Sequence, residues 1–322
     1  MTGYLLRRLA VSLLLFALVL SFTFVLVHAA PGSAADALAG EGPGRALRVE
    51  RLERTLGLDR PLPQQYAAWL GRAARGDLGT SFVQNRPVAS ILADALPATL
   101  LLGLAATFVE WLVALPLGIW AARRHGGTAD HLLRGASLLL VSVPSFWLAI
   151  MAVLAFAYLW PVLPAGHMLS AGAEHLGTVE RWADLGRHLL LPAVVLGLAS
   201  AGSTLRLVRN SVLDVLGEDY VRTARAKGLS ERRVLWRHGL PNAMAPLAQV
   251  LGLGLPVVLN GVLVVEVVFA WPGLGRVAWN AILTRDLPLV LGTTALSAVL
   301  VIAGNLLADL LHAAADPRVR RA

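Results

Sequence analysis

Two carboxylates set inside membrane-length apolar runs, Glu110 and Glu266, are the residues whose type and position most readily suit chemistry in this chain. An ionisable group in a bilayer-crossing helix costs about 2.5 to 3.5 kcal/mol on insertion scales, so each needs a partner or a polar cavity. Glu110 stands beside Trp111 near the middle of one run. Glu266 lies near the end of another, just before Phe269-Ala270-Trp271-Pro272-Gly273. A contact inside a helix bundle and the lining of a solute path both remain open for Glu110, whereas the plainer reading of Glu266 is a snorkelling or hydrogen-bonded interface residue. Asn260 and Asn305 are polar breaks in apolar stretches, suited to interhelical hydrogen bonds of about 1 kcal/mol each.

Other chemistries are excluded by what the sequence lacks. There is no GxxxxGK[ST] loop to cradle phosphates; Lys227-Gly228 has that order reversed and no glycine-rich approach. HExxH and GxSxG are absent, and the eight histidines fall at no ligand spacing. With no cysteine, disulfides, thiol nucleophiles and thiolate metal sites are removed together. The chain is therefore expected to be no enzyme and to carry no metal or cofactor of its own.

The elements that position these residues are set by composition. Apolar residues make up 57% and charged residues 15%, with mean hydropathy +0.66, as expected of an all-α integral membrane protein. Six runs reach the length of about 20 residues that a helix needs to cross a bilayer. They are Leu5 to Val27, Pro97 to Ala122, Leu132 to Trp160, Leu189 to Leu207, Met244 to Ala270 and Leu287 to His312. Pro116, Pro144, Pro192 and Pro256 interrupt them, which a bundle tolerates when neighbours satisfy the freed carbonyls. Residues 1–30 are read as a retained first span, since its apolar run exceeds the core of about 7 to 15 residues found in cleavable signals. Residues 31–96 form an external cap, with helices expected over Arg45 to Leu56 and Gln65 to Arg75. Residues 97–312 form the membrane core and 313–322 a tail.

Charge orients the chain. Alternate segments starting from Arg7 and Arg8 collect sixteen of the 28 basic residues on one side, and the opposite short loops hold four. Both termini and the polar segment 210–243 are thus expected in the cytosol. The excess of arginine follows from topology and comes without stacking aromatics on a soluble basic domain, so nucleic acid is not an expected partner.

That polar segment has its own outline. Val212, Val215, Leu216 and Tyr220 recur at helical spacing, so a helix should continue out of the membrane. Gly228 is placed to end it, with Arg225 and Lys227 in the last turn, where cations complement the helix dipole. Ser230 reads as the N-cap of a second short helix that Gly239-Leu240-Pro241 should end. Ala224, Ala226 and Gly228 offer close backbone approach to a partner. An ordinary solvated loop obeying the positive-inside rule is the plainer alternative.

Asp219-Tyr220-Val221-Arg222-Thr223-Ala224-Arg225-Ala226-Lys227-Gly228, followed by Arg237-His238-Gly239-Leu240-Pro241-Asn242-Ala243, resembles the EAA loop of ABC importer permeases of the dipeptide/oligopeptide/nickel family. Further segments of that likeness follow in order: Leu56-Gly57-Leu58-Asp59-Arg60-Pro61, Gly76-Asp77-Leu78-Gly79-Thr80-Ser81, Ser142-Val143-Pro144-Ser145-Phe146-Trp147, His188-Leu189-Leu190-Leu191-Pro192 and Phe269-Ala270-Trp271-Pro272-Gly273-Leu274-Gly275. The resemblance implies a type I permease bundle of about six spans in a bacterial or archaeal inner membrane. It also implies a second similar permease, two cytosolic ATPases that bind ATP and magnesium, an external solute-binding protein and surrounding membrane lipid. The cargo would be a peptide or a related solute such as a nickel chelate. On this resemblance Asp219, Tyr220, Thr223, Ala224, Arg225, Ala226, Lys227, Gly228, Leu229 and Ser230 form the ATPase-coupling element. Glu110, Asn260, Glu266, Trp271, Pro272 and Gly273 are candidates for the translocation path or vestibule. The chain departs from the generic EAAxxxG pattern, with Arg222 and Thr223 where the glutamate and first alanine would stand. An ion-gradient-driven secondary transporter or channel using Glu110 and Glu266 is the rival reading.

Overall fold

Apolar runs and capping signals resolve into helices, and among the described residues the one piece of β pairing is an isolated bridge between Thr80 and Pro87. The structure is a computed structural model that describes residues 2–29, 32–244, 247 and 262–315. Two compact units divide it, Met1–Thr99 with Pro272–Ile302 and Leu100–Trp271 with Ala303–Ala322.

In the first unit, α1 (Thr2–Ala29) is followed by α2 (Ala34–Leu38), α3 (Arg45–Leu56) and α4 (Leu62–Ala73). Ser33 caps α2 reciprocally with Asp36, and its amide and hydroxyl hold that carboxyl below the ordinary carboxylate value. The helix expected from Gln65 starts earlier, at Leu62, because Pro63 falls in the first turn, where no N–H is needed. The helix of the second span, α5 (Val88–Arg123), likewise starts well before Pro97. The loop leading to it is closed by Ser81 N–H to Arg86 carbonyl and Val88 N–H to Gly79 carbonyl, each at 2.9 Å. Asp286, just before α13 (Leu287–Ala315), is 1% exposed and accepts bonds from the Ser81 hydroxyl and the Phe82 and Val83 amides. Val88, Ile91 and Leu92 of α5 then pack with Leu289 and Val290 of α13 and with Leu274 and Ala281 of α12 (Leu274–Leu283).

The second unit is built on α8 (Thr178–Leu216), 39 residues and so ~58 Å long, enough to cross a hydrocarbon core and project from it. α6 (Thr128–Ser142) packs along it, and Gly202 makes the approach possible, since a Cβ there would lie 2.5 Å from the Ser137 carbonyl oxygen. The apolar run Leu132 to Trp160 is not one straight span. α6 and α7 (Ser145–Val153, continued by a π turn over Leu154–Leu159) meet at 94°. The break itself is local in cause: Val143 precedes Pro144, which disfavours helical backbone, and Val143 is extended at φ −86°, ψ 124°. Among the described residues four helices, α1, α5, α8 and α13, are long and apolar enough to span a membrane, or five if the bent pair is one span. The expected run Met244 to Ala270 lies mostly outside the described residues; residues 262–268 are helical (α11).

Candidate functional site

The polar segment folds as a helix, a tight turn and a second helical arm at the end of α8. α9 (Asp219–Ala226) begins after Glu218, which is extended, and carries Asp219 in its first turn, where the helix dipole favours an anion. One face of α9 is apolar: Val221 and Ala224 are buried against Val234, with Leu216 and Leu229 beside them. The C-terminal turn closes with Gly228 N–H to Arg225 carbonyl (2.9 Å) and Leu229 N–H to Ala224 carbonyl (3.4 Å), the paired bonds of a Schellman motif. Gly228 sits at φ +79° with open space where a Cβ would stand, so the backbone angle, not crowding, demands glycine here.

Ser230 is extended and its carbonyl accepts the Val234 amide at 2.9 Å, but its hydroxyl makes no capping bond. The arm does not end at Gly239-Leu240-Pro241. α10 (Glu231–Arg233) passes into a π turn over Val234–Gly239, and helix continues through residues 240–244. Pro241 has no N–H to donate and its ring would meet the carbonyl of the preceding turn. Widening that turn, with Leu240 N–H reaching back to the Leu235 carbonyl, admits the proline without breaking the helix.

Three sets of contacts fasten the element to its base. The Arg225 guanidinium forks onto Glu231 (2.8 and 3.3 Å) and also donates to the Leu216 carbonyl at the end of α8 (3.3 Å). Asn242 donates to the Tyr220 hydroxyl (3.0 Å) and the His238 carbonyl (2.8 Å), and Tyr220 donates to that same carbonyl (3.3 Å). Leu235, Ala243 and Leu247 pack with Val208 and Val212 of α8 and Ile119 and Ala122 of α5. Below them lies a buried ion pair that sequence reasoning missed. Arg209 of α8 grips Asp130 of α6 through Nε (2.6 Å) and Nη2 (2.7 Å), while His125, Asn210 and the Gly126 amide complete the set. Asp130 is fully buried and Arg209 is 8% exposed. The available signal was a lone acid in the short basic loop before the third run.

The structure sorts the expected coupling residues. Ala224, expected to offer close approach to a partner, instead packs inside the element under Val234. Leu229 is half-buried there, and Arg225 is engaged within the chain. The outward surface is Asp219, Arg222, Thr223 and Ala226, recurring at three and four residues along α9, continued by Lys227, Gly228 and Ser230. Tyr220 is exposed at its edge.

Among the path candidates, Glu110 of α5 is half-buried and accepts a hydrogen bond from Thr204 of α8. Glu266 is fully buried, which removes the snorkelling reading. The Trp271 amide donates to the Glu266 carbonyl at 2.8 Å, and the Phe269 carbonyl accepts from the His167 amide at 2.7 Å. Trp271 and Gly273 are buried and Pro272 is exposed. Asn260 lies outside the described residues. No group of three or more metal-ligating side chains occurs among the described residues.

Comparison with known proteins matches residues 114–321 to the family model "Binding-protein-dependent transport system inner membrane component" and residues 1–103 to the model of its N-terminal region. The oligopeptide transport system permease protein AppB of Bacillus subtilis is 37% identical over 99% of both chains. The dipeptide transport system permease protein DppB of Escherichia coli is 37% identical over 99% of both, and a putative peptide transport system permease protein of Brucella abortus is 40% identical over the same shares. Among solved structures, an inward-facing MetNI methionine ABC transporter aligns with a TM-score of 0.53 at 16% identity, covering 71% of this chain and 97% of that one, a likeness of fold.

Proposed function

We propose a function from one premise: this chain belongs to the family of binding-protein-dependent transport system inner membrane components. It is the permease subunit of an ATP-driven importer and not itself an enzyme. It works with ATPase and solute-binding partners; two ATPases and a second, similar permease complete the assembly. The cargo is a peptide or a closely related solute, a reading supported by the oligopeptide and dipeptide permeases among its relatives. ATP and magnesium belong to the partner ATPases. The arginine distribution supports cytosolic termini and a cytosolic α9.

The observation that carries the coupling role is how α9 is held. Its inner face, the Arg225 fork and the Tyr220-Asn242 contacts leave it little freedom to move alone. A push on its outer face, Asp219, Arg222, Thr223 and Ala226, therefore passes into α8, and through Arg209 and Asp130 into α6. Closure of the ATPases on nucleotide binding would thus be delivered to the membrane helices. The Thr204 bond gives Glu110 a place between α5 and α8, where helix movement would be felt.

The test is ATP-dependent uptake of radiolabelled dialanine into proteoliposomes holding the whole assembly. Gly228→Val, which forces a β-branched residue to positive φ at a cost of about 1–2 kcal/mol, should lower uptake at least ~tenfold while the chain still inserts. Undiminished coupled uptake would remove the docking role. Uptake persisting without the ATPase subunits would instead favour a gradient-driven transporter.

A further inference from the structure

We propose that α1, α4 and α13 hold a binding site for an anionic phospholipid, its phosphate received by Arg60, Arg72 and the indole N–H of Trp69, its acyl chain lying in an adjoining apolar groove.

Trp69 is the starting point. It is 5% exposed, and among the described residues its Nε1 is the buried side-chain nitrogen or oxygen that finds no hydrogen-bond partner. A buried donor left unmet bears its full desolvation penalty, so an acceptor supplied from outside the chain would be bound with advantage. The ring is held in place: it stacks on Tyr66 with centroids 6.4 Å apart, and the Tyr66 hydroxyl lies 2.6 Å from that of Ser21 on α1.

Trp69 is a wall of two cavities. One, of about 470 Å³, is lined by His28, Arg54, Arg60, Gln65 and Arg72. Glu50 neutralises Arg54 at 2.5 Å, and Gln65 is occupied by the Leu58 and Arg60 carbonyls and by His28. The guanidiniums of Arg60 and Arg72 make no hydrogen bond or ion pair among the described residues, and both residues are exposed. Two free guanidiniums lining one cavity with Trp69, whose N–H is unmet, suit an oxyanion, since a phosphate accepts from both donor types.

The second cavity, of about 550 Å³, is lined by Phe16 and Leu20 of α1, Leu70 of α4, Leu92 of α5 and Leu296 of α13. α1, α5 and α13 are helices of membrane length, and α1 exposes Leu14, Leu18 and Phe22 along the same stretch. A soluble anion could use the first cavity but has no use for the second. An amphiphile with one phosphate and an alkyl chain uses both, which decides for phospholipid.

The experiment takes the assembled transporter, strips it with detergent, and exposes it to vesicles of phosphatidylglycerol or of phosphatidylcholine, with lipid retained by this chain read by native mass spectrometry. We expect about tenfold preference for phosphatidylglycerol, lost in Arg60→Gln/Arg72→Gln. Trp69→Phe, which keeps the ring and deletes the donor, should weaken retention about tenfold, the scale of one hydrogen bond to a charged group. Equal retention of the two lipids, or retention unchanged in both variants, overturns the proposal. So does displacement by millimolar inorganic phosphate or dialanine as effective as displacement by phosphatidylglycerol vesicles, which would reassign the site to a soluble oxyanion. Should Trp69→Phe fail to assemble, the exposed arginine pair decides alone. None of these readouts depends on transport.

Discussion

At the scale of single residues, the Asp130–Arg209 pair is the contact whose loss should be felt most. Removing one partner leaves the other charge buried and unpaired, so Asp130→Ala should cost about 3–5 kcal/mol and lower the thermal midpoint of the assembly in detergent. Arg209→Lys keeps the charge but not the two-pronged grip, and should recover only part of that loss. Changing both to uncharged residues should cost less than either alone, a cycle that isolates the pairing. A double variant whose loss equals the sum of the two single losses would show that the pair adds nothing beyond its separate contacts. Glu110 and Glu266 were legible in the sequence because a charge inside an apolar run stands out. Asp130 was not, because an acid among Arg123, Arg124 and Arg134 reads as solvated until the fold brings Arg209 to it. Trp69 was also hidden, since an unmet N–H is a property of surroundings and not of residue type.

At the scale of elements, helix identity and some helix ends were written in local chemistry. α3 has the expected ends, and Gly228 closes α9 as its position foretold. What local chemistry could not supply was direction. Pro144 marks a break, but the 94° turn depends on α7 finding a face of α8 to pack on. The inward turn of Ala224 likewise depends on Val234, ten residues on, folding back over it. Close packing of α6 on α8 gives a direct check. Gly202→Ala would set a methyl group 2.5 Å from the Ser137 carbonyl oxygen, so one helix must shift. A loss of about 1–3 kcal/mol is expected in denaturant or heat unfolding, and a neutral result would mean that the two helices stand further apart than described.

At the scale of the whole molecule, division of labour follows from membership of a family of transport permeases. As a permease subunit, the purified chain should show no ATP hydrolysis above a buffer blank, whereas the assembly with its ATPases should hydrolyse ATP; turnover by the chain alone would contradict the permease assignment. Membrane class and family were readable from apolar runs and ordered motifs, but cargo was not, because selectivity rests on side chains that different helices bring together. The π turn at Val234–Gly239 has a consequence for chain length. A wide turn holds one residue more than an α turn, so it acts as a slip joint: deleting the exposed Trp236 should let the turn tighten while Leu235 and Ala243 keep their phase toward α8. The tightened turn has no room for the proline ring, so the deletion should be tolerated only together with Pro241→Ala. Assembly of the doubly altered chain, beside failure of the deletion alone, would show that the register of this arm is set by one proline.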